Sequence, residues 1–125
     1  MHALPTGSIA IYARCAPAPH QAERVERQLE NSRAFIAQHA GLPHEARLFV
    51  DIAPCAVGQH RPGLAAMMRA AESGQVQVIV TADLSRISRD EAEQVTIRQT
   101  LQSLNIRLVF AHSMTSIDGV ELNQR

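Results

Sequence analysis

Short apolar runs alternate with longer amphipathic segments along this 125-residue chain, and that alternation restricts the fold more than any other feature. The apolar runs cover residues 8–14, 47–51, 76–82 and 106–110. Runs of this length, bounded by turn-forming residues, are typical of strands buried on both faces. The segments with helical periodicity cover residues 21–40, 64–71 and 91–104. Strands separated by helices predict right-handed crossovers and a parallel sheet.

The fold class that this pattern predicts is α/β. We expect residues 1–125 to form a single domain, a flavodoxin-like or Rossmann-like open parallel sheet of about four strands with helices on both faces. The hydrophobic fraction of 46% and the charged fraction of 19% exclude disordered and fibrous chains. No apolar run approaches the roughly 20 residues that cross a bilayer, and residues 1–5 do not begin a signal peptide. We therefore expect a cytoplasmic protein with no membrane partner.

Cationic side chains gather where the predicted strands end. The carboxyl ends of parallel strands meet at one edge of a sheet, and the arginines near these ends are Arg14, Arg61, Arg86 and Arg89. Guanidinium groups near helix starts suit a phosphate or a phosphodiester. Alternatively, each arginine pairs with a local carboxylate, Arg61 with Asp51 and Arg89 with Asp90 or Glu93. Because 12 basic residues balance 12 acidic ones, the chain does not resemble a nonspecific nucleic-acid coat protein.

Six short motifs follow one another between Ile9 and Gly119. They are Ile11-Tyr12-Ala13-Arg14, Gln21 at the start of the first helix, Phe49-Val50-Asp51, Arg61-Pro62-Gly63-Leu64, Leu84-Ser85-Arg86-Ile87-Ser88-Arg89-Asp90 and Ile117-Asp118-Gly119. In this order they resemble the catalytic domain of serine site-specific recombinases, the resolvases and invertases. The resemblance implies a Ser hydroxyl that attacks a DNA phosphodiester, giving a 5′-phosphoserine link and a free 3′-hydroxyl. It also implies that Arg14, Arg61, Arg86 and Arg89 bind phosphate and that Tyr12, Asp51 and Ser85 organise the site.

The chain departs from the recombinase pattern at the nucleophile. The family's Tyr-x-Arg-x-Ser becomes Tyr12-Ala13-Arg14-Cys15-Ala16, and the methyl group of Ala16 cannot attack phosphorus. Ser85 stands where the family usually has Asp, and the chain ends at Arg125, where the family continues into a dimerisation helix and a DNA-binding domain. We therefore expect a catalytically inactive resolvase-like domain without a DNA-binding domain. It would bind DNA weakly or regulate another protein, and its expected partners are weakly bound DNA, a protein partner or a second copy of the chain in a homodimer.

Two Cys-x4-His pairs suggest a different use of the same sheet edge. Cys15 with His20 and Cys55 with His60 lie in the two loops that follow the first and second strands. Two thiolates and two imidazoles could form a tetrahedral zinc site. The chain would then be a protein-interaction module whose former active site is structural. Apart from this zinc, no cofactor is expected.

A third hypothesis is a phosphoryl-transfer enzyme that uses Cys15 or Cys55. Cys15 adjoins the nucleophile position, although one step along a strand turns a side chain to the opposite face. Cys55 and Arg61 have the Cys-x5-Arg spacing of a tyrosine-phosphatase phosphate loop. Pro54 before the Cys and Pro62 after the Arg depart from that motif.

Overall fold

Strands and helices alternate along the chain as the apolar pattern predicts. The computed structural model describes residues 8–38, 46–53, 61–111 and, for the backbone, 115–116. The strands are β1 (Ile9–Cys15), β2 (Arg47–Ile52), β3 (Val78–Thr81), β4 (Arg107–Phe110) and β5 (Thr115–Ser116). The helices are α1 (Gln21–Ala37), α2 (Pro62–Glu72), α3 (Leu84–Ile87) and α4 (Glu91–Ser103). Helix α1 ends at Ala37, three residues before the predicted end at residue 40, and Gly41, the residue predicted to stop it, lies outside the described residues.

The sheet has the strand order β2-β1-β3-β4-β5. The first four strands are parallel, which confirms the predicted α/β fold with a parallel sheet. Their order is the flavodoxin-like one, in which the direction of winding reverses between β1 and β3. Strand β5 pairs with β4 in the antiparallel direction and was not predicted. It is only two residues long, too short for an alternating pattern to indicate it.

Helices cover both faces of the sheet, and β1 lies at its centre with every residue buried. On one face Ile9 and Ile11 pack in a cluster that includes Phe35 of α1. On the other face the core cluster includes Tyr12 of β1 and Met67 of α2, with α4 and α3 supplying Leu101 and Ile87. The alternation of side chains along a strand therefore places β1 between two hydrophobic layers, as expected for a doubly covered sheet.

The polar segment after β3 contains a one-turn helix, α3, that the sequence pattern does not indicate. Asp83 caps this helix, since its Oδ1 accepts a hydrogen bond from the backbone N–H of Ser85 at 3.0 Å. A single turn is too short to display helical periodicity. Among the described residues, no helix is both long enough and apolar enough to cross a bilayer.

Candidate functional site

A cleft of about 500 Å³ opens at the carboxyl ends of β1 and β3. This is the point where the strand order reverses and where open α/β sheets bind ligands. The end of β1 contributes Arg14, Cys15 and Ala16 to the lining, and the segment after β3 contributes Ala82 and Asp83. The position that carries the nucleophile in the recombinase pattern therefore lies at the cleft.

Arginine dominates the charge of this cleft. Among the described lining residues five are arginines, namely Arg14, Arg24, Arg27, Arg86 and Arg89, and one is acidic. That acidic residue, Asp83, already accepts hydrogen bonds from the N–H and hydroxyl of Ser85. A concave surface with several guanidinium groups and one engaged carboxylate creates a positive potential that attracts anions.

Arg14 is buried at the base of the cleft, with 2% of its surface exposed. Its guanidinium donates hydrogen bonds to three carbonyl oxygens, those of Ala53 at 2.8 Å, Arg86 at 2.9 Å and Ser85 at 3.3 Å. These carbonyls belong to the segments that follow β2 and β3. Arg14 therefore holds the loops around the cleft in place while its positive charge stays beneath it.

Arg86 and Arg89 lie on the side of the cleft formed by α3 and the two residues that follow it. Arg86 is partly buried, and its Nη1 lies 3.4 Å from the carbonyl oxygen of Arg14. Its Nε is buried and has no hydrogen-bond partner among the residues that the structure describes. Arg89 is exposed. Three of the four predicted arginines, Arg14, Arg86 and Arg89, therefore come together at one cleft.

The fourth predicted arginine, Arg61, has a different set of contacts. Its Nη2 lies 3.0 Å from each carboxylate oxygen of Glu93 on α4, and its Nη1 donates to the carbonyl of Ile87. Only 7% of the side chain is exposed, and Arg61 is not among the described residues that line the cleft. Its carboxylate partner is therefore Glu93 and not Asp51, the local pairing considered from the sequence. In this arrangement Arg61 joins the start of α2 to α3 and α4.

Asp51 and Tyr12 form a buried pair at the start of α2. The Asp51 carboxylate accepts hydrogen bonds from the hydroxyl of Tyr12 at 2.8 Å and from the backbone N–H groups of Gly63 at 2.7 Å and Leu64 at 2.8 Å. Asp51 thus caps α2 from the neighbouring strand. Burial, followed by the hydrogen bond and the charge of Asp51, raises the pKa of Tyr12 far above its ordinary value of 10.0, against the weaker opposing effects of Arg61 and Arg14.

Gly63 permits this cap because the helix approaches β2 very closely. A Cβ atom at Gly63 would lie 2.7 Å from the carbonyl oxygen of Val50 and 2.9 Å from Oδ1 of Asp51. Neither distance is tolerable for a carbon atom, so α2 could not hold its position with any other residue there. The Arg-Pro-Gly-Leu motif therefore has a structural explanation, with Pro62 in the first helical turn and Gly63 against the strand.

Ala16, the residue at which the recombinase resemblance places the nucleophile, is exposed and follows β1. The neighbouring Cys15 is buried, with its Sγ 3.2 Å from the carbonyl oxygen of Ala16, although it also contributes to the cleft lining. Ser85 supports α3 through its bonds to Asp83, and its carbonyl accepts from Arg14. Ser85 thus supports the α3 side of the cleft, whereas Tyr12 and Asp51 hold the start of α2 and do not line it.

Only two of the four predicted zinc ligands, Cys15 and His20, lie among the described residues. Cys55 and His60 lie outside the described residues, and so does any contact that they make. His20 is exposed, with its Nδ1 3.4 Å from Oε1 of Glu23, and Cys15 is buried. No group of three or more potential metal ligands occurs in the described part of the chain. The zinc site and the use of Cys55 as a nucleophile stay predictions.

Helix α1 contributes residues to the cleft that do not follow a strand and were therefore not expected at this edge of the sheet. They are Arg24, Arg27, Gln28 and Asn31. Gln28 is buried, and its side-chain amide bonds the backbone N–H of Arg14 at 3.1 Å and the carbonyl of Arg14 at 2.9 Å. Their spacing of three, four and seven residues is the signal that could have placed them on one helix face. The sequence alone does not show which face of α1 meets the cleft.

Comparisons with known proteins agree on the fold. Residues 9–124 match the family model described as the resolvase N-terminal domain. A resolvase-family site-specific recombinase from Streptococcus pneumoniae superposes with a TM-score of 0.70 at 21% identity, covering 96% of this chain and 78% of that one.

Two further solved structures have the same fold. The N-terminal catalytic domain of TP901-1 integrase gives a TM-score of 0.72 at 14% identity, covering 90% of this chain and 82% of that chain. The C-terminal catalytic domain of ISC1926 TnpA, an IS607-like serine recombinase, gives a TM-score of 0.69 at 18% identity, covering 82% of this chain and 68% of that chain. No curated protein matches the sequence significantly.

Proposed function

The chain belongs to the resolvase N-terminal domain family, and from that premise we propose that it is a recombinase-type domain that binds a DNA backbone phosphate in its arginine-lined cleft without cleaving the strand. The observation that carries this proposal is the position of Ala16, which lies at the same cleft as Arg86 and Arg89. The cleft combines cationic side chains suited to a phosphodiester with a methyl group at the position from which the family attacks it.

The arrangement of charges supports phosphate binding. Arg89 is exposed and makes no ion pair or hydrogen bond within the described part of the chain. A guanidinium can donate two parallel hydrogen bonds to a phosphate, and such charge-assisted bonds are roughly twice as strong as neutral ones. Arg14 adds positive charge beneath the cleft and holds the carbonyl of Arg86 at 2.9 Å. A phosphate at this point would lie above the positive charge of Arg14, which its hydrogen bonds hold in place.

The chemistry of position 16 supports binding without cleavage. Formation of a phosphoserine link requires an oxygen lone pair within reach of phosphorus, and alanine has none. The bond to the leaving 3′-oxygen would therefore stay intact while the phosphodiester is bound. A domain that occupies DNA in this way would have a regulatory role, because it would withhold the bound phosphate from an active recombinase.

The test is an anisotropy measurement with a fluorescein-labelled DNA duplex at 50 mM salt. The Arg86→Gln/Arg89→Gln variant is compared with Arg69→Gln/Arg98→Gln, which removes the same charge from α2 and α4 away from the cleft. Each lost bidentate phosphate contact should weaken binding by about 1–3 kcal/mol, or roughly 5- to 150-fold. The control pair should bind nearly as tightly as the unmodified protein.

Two results would overturn the proposal. One is the absence of detectable DNA binding at 50 mM salt, where electrostatic binding is strong. The other is a covalent protein–DNA adduct on a denaturing gel, because such an adduct requires a nucleophile. If an adduct appeared and vanished in Cys15→Ala or in Cys55→Ala, the phosphoryl-transfer hypothesis would replace this one.

A further inference from the structure

Helix α1 provides the cleft with a second basic wall. This wall contains Arg24, Arg27 and Asn31. None of these residues lies in the six motifs that resemble the recombinases. Helix α1 packs on one face of the sheet, whereas Ile87 of α3 packs in the core cluster on the opposite face. Two groups of arginines therefore border the same sheet edge from opposite faces.

A buried contact holds this second wall in position. The side-chain amide of Gln28 bonds both the N–H and the carbonyl of Arg14, at 3.1 and 2.9 Å. Gln28 lies one residue from Arg27 and four from Arg24 on the same helix, so it fixes their rotation relative to the end of β1. The basic face of α1 is thus anchored to the residue that also anchors α3.

The charges on this wall are available to a ligand. The side chains of Arg24 and Arg27 are exposed, and their guanidinium groups make no hydrogen bond or ion pair with other described residues. Two acidic residues of the same helix have other partners, since Glu23 meets His20 at 3.4 Å and Glu26 meets Arg33 at 3.9 Å. Neither carboxylate is among the described residues of the cleft.

We propose that the cleft binds two successive phosphates of one DNA strand, the first at Arg86 and Arg89 and the second at Arg24 and Arg27 on α1. This inference rests on the proposed function and specifies its ligand as a DNA strand that contacts both walls. A volume of about 500 Å³ is within the range of sites that hold ligands much larger than one phosphate. Asn31 supplies a neutral amide donor on the second wall.

The salt dependence of DNA binding tests the inference, because each phosphate contact contributes a slope of about 0.9 to the plot of log K against log salt concentration for B-DNA. The Arg24→Gln/Arg27→Gln variant should lower the slope by about 1 and weaken binding about eightfold at 0.1 M salt. The control Arg69→Gln/Arg98→Gln removes equal charge from α2 and α4, away from the cleft, and should leave the slope unchanged.

A second variant, Asn31→Asp, tests the same phosphate site independently of the two arginine substitutions. Asn31→Asp places a negative charge on the same wall, so it should weaken DNA binding while the thermal melting temperature stays within a few degrees. If Arg24→Gln/Arg27→Gln and Asn31→Asp both bind like the control while Arg86→Gln/Arg89→Gln does not, the second phosphate site is overturned and the proposed function stands. If neither arginine pair affects binding, both proposals fail.

Discussion

Replacing Asp51 by alanine should destabilise this domain more than any ordinary helix-cap substitution. The carboxylate is 3% exposed and accepts three hydrogen bonds, from the Tyr12 hydroxyl and from the backbone N–H groups of Gly63 and Leu64. In Asp51→Ala all three donors lose their acceptor at once. Two of them belong to the first turn of α2, where no carbonyl of the same helix can replace it.

The size of the loss follows from the number and charge of these bonds. A hydrogen bond to a charged group contributes about 1.5–3 kcal/mol, and such contributions within one network are not additive. We therefore expect Asp51→Ala to lower the free energy of unfolding by about 4 kcal/mol, near the low end of the sum. Tyr12→Phe removes one of the three bonds and should cost about 1.5–2 kcal/mol. In the double variant the Tyr12 substitution should add little, because its partner is already gone.

Urea denaturation followed by circular dichroism measures these differences. The matched control is Asp90→Ala, the same substitution at the cap of α4, where the Asp90 carboxylate accepts one bond, from the N–H of Glu93 at 2.8 Å. That control should cost about 1 kcal/mol, the usual value for a helix cap. If Asp51→Ala cost no more than Asp90→Ala, the claim that Asp51 joins β1, β2 and α2 would be wrong.

Three further predictions concern the same framework. Tyr12 is the chain's single tyrosine and there is no tryptophan, so absorbance at 295 nm reports on the ionisation of Tyr12 alone. Because folding raises the pKa of Tyr12, its contribution to the free energy of unfolding is fully present below pH 10 and is lost as pH rises above 10, with tyrosinate forming only as the protein unfolds. A titration midpoint near 10 with native circular dichroism would contradict this. Gly63→Ala should cost about 2–3 kcal/mol, as overpacking against backbone does, whereas Gly74→Ala, at φ +84° with open space around it, should cost about 1 kcal/mol in the same urea assay. Glu93→Gln should lower the free energy of unfolding by about 1–2 kcal/mol. A double-mutant cycle with Arg61→Gln should show coupling between the two residues, because their contact is largely buried. If the two losses of stability were additive, the pairing would contribute nothing.

Much of the fold could be predicted because burial imposes a local period on the sequence. The run that forms β1 is buried on both faces, and α1 shows helical periodicity over 17 residues, so both are readable without the structure. The antiparallel β5 has two residues and α3 has four. Elements of that length contain only about one period of side chains, so no repeating pattern could indicate them.

The candidate site was partly predictable for a topological reason. Arg14 and Arg86 follow parallel strands, and the ends of such strands share one edge whatever the details of packing. Arg61 also stands near a strand end, yet its partner Glu93 is 32 residues away on α4. Arg24 and Arg27 enter the cleft only because Gln28 sets the rotation of α1 against β1. Neither outcome can be deduced from spacing along the chain.

The sequence by itself determined the α/β class, the recombinase resemblance and the presence of alanine at position 16, since each depends on residue identity or on periodicity along the backbone. The tertiary structure alone decided which arginines are available to an anion. Whether a guanidinium is free depends on its distance from carbonyls and carboxylates of other elements, because both hydrogen bonds and Coulomb attraction act through space. That is why Arg61 is paired with Glu93 while Arg24 and Arg27 face the cleft.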